Sequence, residues 1–522
     1  MSVKWDVGYI TRKRAEVSPD KTAIIFEDRP IPYRELNEGV NRCAHLFQKK
    51  GIQKGDRLAV VLLNCVEFLE AYFASAKLGV IFVPLNWRLA APELEYQLKD
   101  CGARMLLFHD SFLGVVDSIR ANLPVDPGKF LFLKSGGPTL PGFSLPACPN
   151  WAEDFHGLVK EQPADEPIPD AAVELEDPLA ILYTSGVTGN PKGAILSHQQ
   201  TFFKNFQIAV YMGAGPQDVL VAQIPLFHSA GLFIVSTPAI SGGMTVVMRR
   251  GFDPSEFARD IERYRGTIIF AMTTMWRMIL ETGKLDEIDV TSVRCVVGGG
   301  ERTPPLLFEE LAKRRLYMQQ GFGQTENSAM TLLPKEDIFR KMGSIGKPGF
   351  FTEIWIAGPD GRRLAPGEIG EIMARGPTVM TGYWNRPEMT AKAIVNGVLR
   401  TGDLGYMDEE GYFYIVDRAS DMYRSGAENV YPAEVEKILS GNPKISNVAI
   451  IGVQDDTWGE AGMALIVPRP GQTITEEEVR EYLKDKVARF KHPKHIRFVA
   501  DLPLTATMKV KKVELKAKFK KP

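Results

Sequence analysis

Between Arg57 and Asp100 the sequence alternates short apolar runs with amphipathic segments, and this alternation restricts the fold more than any other feature. RLAVVLLN reads as a buried strand, and VEFLEAYFASAKLG follows as a helix closed by Gly79. VIFVPL is the next strand. PELEYQLKD then opens a helix with Pro92 in its first turn and puts Leu94 and Leu98 on one face. Strand-helix-strand order implies a parallel sheet covered by helices on both faces. The most apolar stretch, Leu58 to Leu85, is interrupted by Glu67, Glu70 and Lys77, so it reads as buried core and not as a membrane span.

The same texture resumes at LAILYTSG, GTIIFAMTT, VRCVVGGG and LYMQQGFGQTE. Between Ser135 and Pro178 it breaks. SGGPTLPG and QPADEPIPD are rich in Pro, Gly and acid, and the segment reads as a surface connection between subdomains. From about Phe351, TEIWIAGPDGRRLAPGEIGEIMARG alternates strands with glycine turns, as a smaller β-rich subdomain would. A last unit follows GYFYIVDR. It has a short helix at YPAEVEKIL, strands at ISNVAIIGV and MALIVPR, and a helix opened by a Thr475–Glu478 capping box. The lysine-rich end reads as a solvated helix face. A chain of 522 residues is too long for one core, and a boundary is expected near Arg418 to Asp421.

Charge excludes some partners. Lys plus Arg is 63 and Asp plus Glu is 64, so no overall field points to nucleic acid or a membrane surface. Cys43, Cys65, Cys101, Cys148 and Cys295 are scattered, with no CxxC pair, so neither a disulfide framework nor a zinc site is expected. MSVKWDVGYI lacks the pattern of a signal peptide. A reducing, cytoplasmic setting is the expectation. Peripheral membrane contact and a homodimer are left open, with no integral membrane segment and no nucleic-acid partner.

YTSGVTGNPKGA, from Tyr183 to Ala194, follows a strand with a glycine-rich loop. Such a loop lets backbone N–H groups converge on an anion. Thr184, Ser185 and Thr188 add hydroxyls and Lys192 adds charge, which suits a polyphosphate. The spacing is not that of a Walker A loop. A plain flexible surface loop is the alternative that composition leaves open.

This loop resembles the phosphate-binding signature of the adenylate-forming superfamily of acyl-CoA synthetases, luciferases and peptide-synthetase adenylation domains. PLFHSAGL, GGGE, GFGQTE, TGDLGYMDEEGYFYIVDR, SGAENVYPAEVE and TMKVKK recur in the family's order, over nearly the whole chain. The resemblance implies a large N-terminal domain, residues 1–417, built of two doubly wound α/β subdomains plus a β-rich subdomain. A hinge at 418–421 and a small mobile α+β C-terminal domain, 422–522, would follow. It also implies a two-step reaction. A carboxylate attacks the α-phosphate of ATP to give acyl-AMP and pyrophosphate, and the thiol of coenzyme A then displaces AMP. Two anions must meet, so Mg²⁺, lysine and oriented donors are needed.

The resemblance assigns roles by position. Thr184, Ser185, Gly186, Thr188, Gly189 and Lys192 would cradle phosphates. Thr325 would bond the α-phosphate. Glu326 would hold Mg²⁺, with Thr184 as a second metal contact. Gly299, Gly300 and Glu301 would line adenine. Phe322, between Gly321 and Gly323, would stack on it, although a core aromatic is the alternative. Asp403 would accept the ribose hydroxyls, and Arg418 would add a ribose or phosphate contact. Lys509 would bridge the attacking carboxylate and the α-phosphate.

Ser420 falls on the hinge. Ser425, Gly426, Ala427, Trp458 and Phe490 fall on the coenzyme A side, with ordinary packing an equal alternative for the two aromatics. Phe227, His228, Met272, Thr274, Gly298, Gly323 and Met330 would line the acyl pocket. His228 would sense the carboxylate or gate the pocket, or serve as a structural histidine. Four positions depart from the family's usual residues: Val187, Ser420, Ala427 and Met508. Val187 replaces a common Thr, which removes one phosphate donor, worth on the order of 1 kcal/mol.

A histidine in PLFHSAGL, where amino-acid-activating domains have Asp, argues against an amino-acid substrate. The favoured reading is a ligase acting on a hydrophobic acid, first a medium- or long-chain fatty acid within fatty acid metabolism. An aryl acid of the benzoate or cinnamate type is the alternative. A carrier-protein acceptor, or a nucleotide-binding protein without catalysis, are the further alternatives.

Overall fold

The computed structural model describes residues 6–135, 146–184, 191–300, 303, 305–418, 423–426, 428–430, 432–503, 510 and 512–519. The chain separates into two compact units. The first takes in Met1–Trp87, Leu98–Leu182 and Gly193–Val416, and the second Arg88–Gln97, Tyr183–Lys192 and Asp417–Pro522.

The described residues of the first unit form three sheets. The nine-stranded sheet has a parallel centre: Thr22–Phe26, Thr245–Met248, Val219–Val221, Ile268–Phe270, Cys295–Gly299 and Met318–Phe322 lie side by side in that order. Thr245–Met248 and Ile268–Phe270 near its centre are rich in Val and Ile and fully buried, as strands between two helical layers must be. Val219–Val221 is the switch point, because the next strand in sequence joins one side of it and the following strand the other. The eight-stranded sheet repeats the plan around Arg57–Val61, flanked by Ile81–Pro84 and Met105–His109. A five-stranded sheet includes Glu353–Ala357, Gly370–Arg375 and Val398–Met407 in antiparallel pairing, the β-rich subdomain read from sequence.

The helix Val66–Leu78 closes at Gly79 as the sequence predicts. The charges that interrupted its apolar run have uses. Lys77 Nζ is buried beside Glu166 Oε2 at 2.7 Å and bonds Asn37 and Asn41. Burial lowers its pKa to about 8, against the pull of Glu166. Glu67 meets His156 at 2.8 Å.

These partners correct one expectation. The segment from Ser135 to Pro178 is more than a surface connection: its described part contains the helix Phe155–Lys160, with Phe155 fully buried in the core. Pro and Gly density marked the turns correctly but concealed one aromatic anchor and one buried ion pair.

Phe82, on the central strand Ile81–Pro84, packs edge-on against Phe68 and Tyr72 at 5.3 and 5.5 Å between ring centroids. Phe82→Ala is expected to destabilise the first unit by about 3–5 kcal/mol, read as a lower urea midpoint for its unfolding transition.

In the second unit, Ile445–Asp455 and Gly459–Pro468 form a long antiparallel pair, joined by Tyr423–Ser425 and, in parallel, by His495–Phe498. Thr475 and Glu478 make the reciprocal capping box of the helix Glu476–Leu483. On the helix Lys512–Lys518, Leu515 is buried.

Candidate active site

A parallel sheet gathers the carboxyl ends of its strands on one edge. In the first unit, the segments leaving that edge are those singled out in sequence. Val219–Val221 leads to Phe227 and His228, Ile268–Phe270 to Met272, Cys295–Gly299 to Gly300, and Met318–Phe322 to Gly323 through Glu326. Gly299 pairs with Gly321, so the GGGE and GFGQTE segments leave adjacent strands at one level.

The turn after Phe322 is tightly specified. A Cβ on Gly323 would stand 2.3 Å from the carbonyl oxygen of Ser328, so only glycine lets the turn fold back. Asn327 Oδ1 accepts from the Gln324 backbone N–H at 2.9 Å, and Ser328, at φ +50°, donates its N–H to the Gln324 carbonyl at 2.6 Å. Thr325 and Glu326 sit at the tip and are half-buried. Tyr383 donates its hydroxyl to Glu326 Oε1 at 2.8 Å, and the Glu326 carbonyl accepts from the Met380 N–H at 2.7 Å. The carboxylate is thus aimed by a phenol.

Asp403 lies on the long strand Val398–Met407 and is almost fully buried. Gln324 Nε2 donates both to Asp403 Oδ2 and, at 2.8 Å, to the Thr401 carbonyl. The amide of the GFGQTE turn therefore brings Asp403 beside Thr325 and Glu326. Sequence reading singled out neither Gln324 nor Tyr383 for a role. Gln324 was within a quoted motif; Tyr383 carried no signal, because its use depends on a sheet pairing of Gly382–Tyr383 with Ala194 and Ile195.

The positions assigned to an acyl pocket also lie in this unit. The Phe227 and His228 rings are 4.3 Å apart, and Phe227 meets Trp87 edge-on. His228 is half-buried at the entrance to a π-helical segment, Ala230–Ser236, a widened turn of the sort found at functional sites. Met272 precedes the helix Thr273–Glu281, on which Thr274 is buried. A Cβ on Gly300 would fall 2.1 Å from Met272 Cε, and one on Gly298 2.4 Å from Met318 Sδ. Met330 is fully buried and donates its N–H to the Phe322 carbonyl at 2.8 Å. Phe322 is itself buried against the core.

In the second unit, Thr184 ends the strand Pro178–Thr184 and Lys192 begins Lys192–Ser197. Thr184 Oγ1 donates to the Lys192 carbonyl at 3.4 Å. The Gly426 N–H donates to the Trp458 carbonyl at 2.9 Å, and Ser425 pairs with Gly459, so these three positions of the coenzyme A assignment are neighbours. Trp458 is 45% exposed, whereas Phe490 packs against the core. Arg418 ends the strand Phe413–Arg418. Ser185, Gly186, Val187, Thr188, Gly189, Glu301, Ser420, Ala427, Met508 and Lys509 lie outside the described residues.

Among the described residues, no group of three or more His, Cys, Asp or Glu side chains is placed to hold a metal ion. No described helix is long and apolar enough to cross a membrane.

Comparison with known proteins identifies the family. Residues 11–384 match the AMP-binding enzyme family, and residues 434–509 match the AMP-binding enzyme C-terminal domain. A feruloyl-CoA synthase of Amycolatopsis is 36% identical over 97% of this chain and 98% of its own length. A long-chain-fatty-acid–CoA ligase of Mycobacterium tuberculosis is 35% identical over 98% of each. The solved structure of an o-succinylbenzoate CoA synthetase from Bacillus subtilis, 33% identical, superposes with a TM-score of 0.86 over 97% of this chain and 98% of the other.

Proposed function

Because the chain belongs to the AMP-binding enzyme family, and is an AMP-forming acid–CoA ligase using ATP and coenzyme A, we propose how its residues divide that work and which acids it takes. The observation that carries the assignment is the Gln324 amide tying Asp403 to the turn that presents Thr325 and Glu326. Asp403 accepts the two ribose hydroxyls. Thr325 donates to the α-phosphate. Glu326, aimed by Tyr383, would hold Mg²⁺, which when bound neutralises phosphate charge. Lys509 meets the acid's carboxylate and the α-phosphate together.

In the first half-reaction a carboxylate oxygen bonds the α-phosphorus and the bond to the β-phosphate oxygen breaks, releasing pyrophosphate. In the second, the thiolate of coenzyme A bonds the acyl carbon and AMP leaves with the oxygen. The thiol proton passes to solvent. AMP is the better leaving group, which is why the first half precedes the second.

The acid has an apolar body. Phe227 and Met272 offer apolar contact, and the buried Met330 packs in the core behind them. A medium- or long-chain fatty acid is the first reading. An aryl acid is the second, favoured by the relative that makes feruloyl-CoA and by an indoleacetate–CoA ligase of Aromatoleum aromaticum, 35% identical over 97% of this chain. A cytoplasmic enzyme is expected.

Pyrophosphate release, measured for acids from C2 to C18 and for aryl acids, with and without coenzyme A, tests the assignment. Turnover that depends on coenzyme A is the expected result. Equal, sustained release without it would make the acceptor assignment wrong.

A further inference from the structure

The helix His198–Met212 is turned opposite to its hydrophobic pattern. It buries Thr201, Lys204 and Asn205 beside Ile208, and leaves Phe202, Phe206 and Val210 exposed at 48%, 55% and 55%. Lys204 is 0% exposed. Its ammonium lies 3.3 Å from Ser328 Oγ and 4.3 Å from the centre of the Phe233 ring, and no carboxylate of the described residues stands within ion-pair distance. Burial pushes its pKa well below that of an ordinary lysine. On the same face, the Thr201 hydroxyl and both amide atoms of Asn205 have no hydrogen-bond partner among the described residues.

This polar stripe adjoins the substrate region. Ser328 Oγ is 3.3 Å from Ser229 Oγ. Ser229 follows His228 in sequence, and Ser328 closes the Thr325–Glu326 turn against Gly323. The Ser328 hydroxyl therefore stands between the Lys204 amine and the His228–Ser229 segment assigned to the acid. A leucine or methionine would fill this volume without desolvating an amine. A buried amine beside an unpaired amide is stabilised only when a complementary group meets it. A plain alkyl tail cannot do so. A carboxylate would supply the counter-charge, keep the amine protonated and accept from the Asn205 amide and the Thr201 hydroxyl.

We infer that Lys204, with Thr201 and Asn205, receives a second carboxylate at the far end of the acid. The enzyme then activates one end of an apolar-bodied dicarboxylic acid, and Lys204 sets specificity without touching the reacting atoms. This rests on the acid–CoA ligase reading and narrows its substrate class.

The test compares dicarboxylic acids, aliphatic from C4 to C12 and aromatic, with monocarboxylic acids of matched length, by coenzyme A-dependent pyrophosphate release. The wild-type kcat/KM for the best dicarboxylic acid is expected to exceed that of its monocarboxylic match by about 100-fold, as for a buried charge pair. Lys204→Met should abolish this ratio through KM, leaving kcat on the monocarboxylic acid within about threefold; Lys204→Arg should retain part of it.

Wild-type preference for the monocarboxylic acids overturns the inference whether or not the variants fold. So does a Lys204→Met variant that weakens both classes alike, since that marks a purely structural lysine. No release from any acid would overturn the acid–CoA ligase reading itself.

Discussion

Lys509→Ala is expected to slow acyl-adenylate formation by about 1,000-fold or more, the scale reached when a charge-stabilising group is removed from a transition state. The reaction forces a carboxylate toward a phosphate that already carries negative charge. Backbone donors and a bound metal ion would relieve the phosphate side, but a group bonded to both reactants at once is needed to hold them in line. An ammonium serves this, since it offers three donors and a full charge. The second half-reaction needs no such bridge, so thioester formation from supplied acyl-AMP should stay within a few-fold of wild type. Acid-dependent exchange of pyrophosphate into ATP reads the first half alone. Undiminished exchange would remove Lys509 from the chemistry. Lys512 is the control, because its ammonium is already paired with Glu436 at 2.7 Å; Lys512→Ala should exchange pyrophosphate at nearly the wild-type rate.

Glu326→Gln should lower the adenylation rate by about 100-fold and raise the Mg²⁺ concentration needed for half-maximal rate. The substitution keeps shape. The new amide oxygen still accepts from the Tyr383 hydroxyl, so the turn between Gln324 and Ser328 is preserved and the loss isolates charge. Because Tyr383 donates its hydroxyl to Glu326 Oε1, Tyr383→Phe is expected to cost less than about tenfold. A Glu326→Gln enzyme with an unchanged Mg²⁺ requirement would show that the carboxylate does not serve the metal.

The strands around Arg57–Val61 were legible because runs such as RLAVVLLN are buried on both faces and cannot be mistaken for half-exposed ones. The phosphate, adenine and ribose segments proposed above rest on another kind of signal. Each is a contiguous stretch whose small residues and hydroxyls would act through the local backbone, so such chemistry would be written in neighbouring letters. Phe490 shows the opposite case. Its sequence context allowed a ligand role or packing, and the fold puts its ring against the core of the second unit.

What the sequence by itself determined is therefore the alternation that builds parallel sheets and the local loops that leave their carboxyl ends. The tertiary structure alone decided which distant side chains hold those loops. Gln324 reaches Asp403 across 79 positions, Tyr383 reaches Glu326 across 57, and Lys204 reaches Ser328 across 124. The helix that carries Lys204 makes the reason plain. Hydrophobic periodicity would bury Phe202, Phe206 and Val210, yet the fold buries the polar face, because periodicity records only which residues share a face. The side that faces inward depends on what the neighbouring elements present to it, and that is fixed only when the chain has closed on itself.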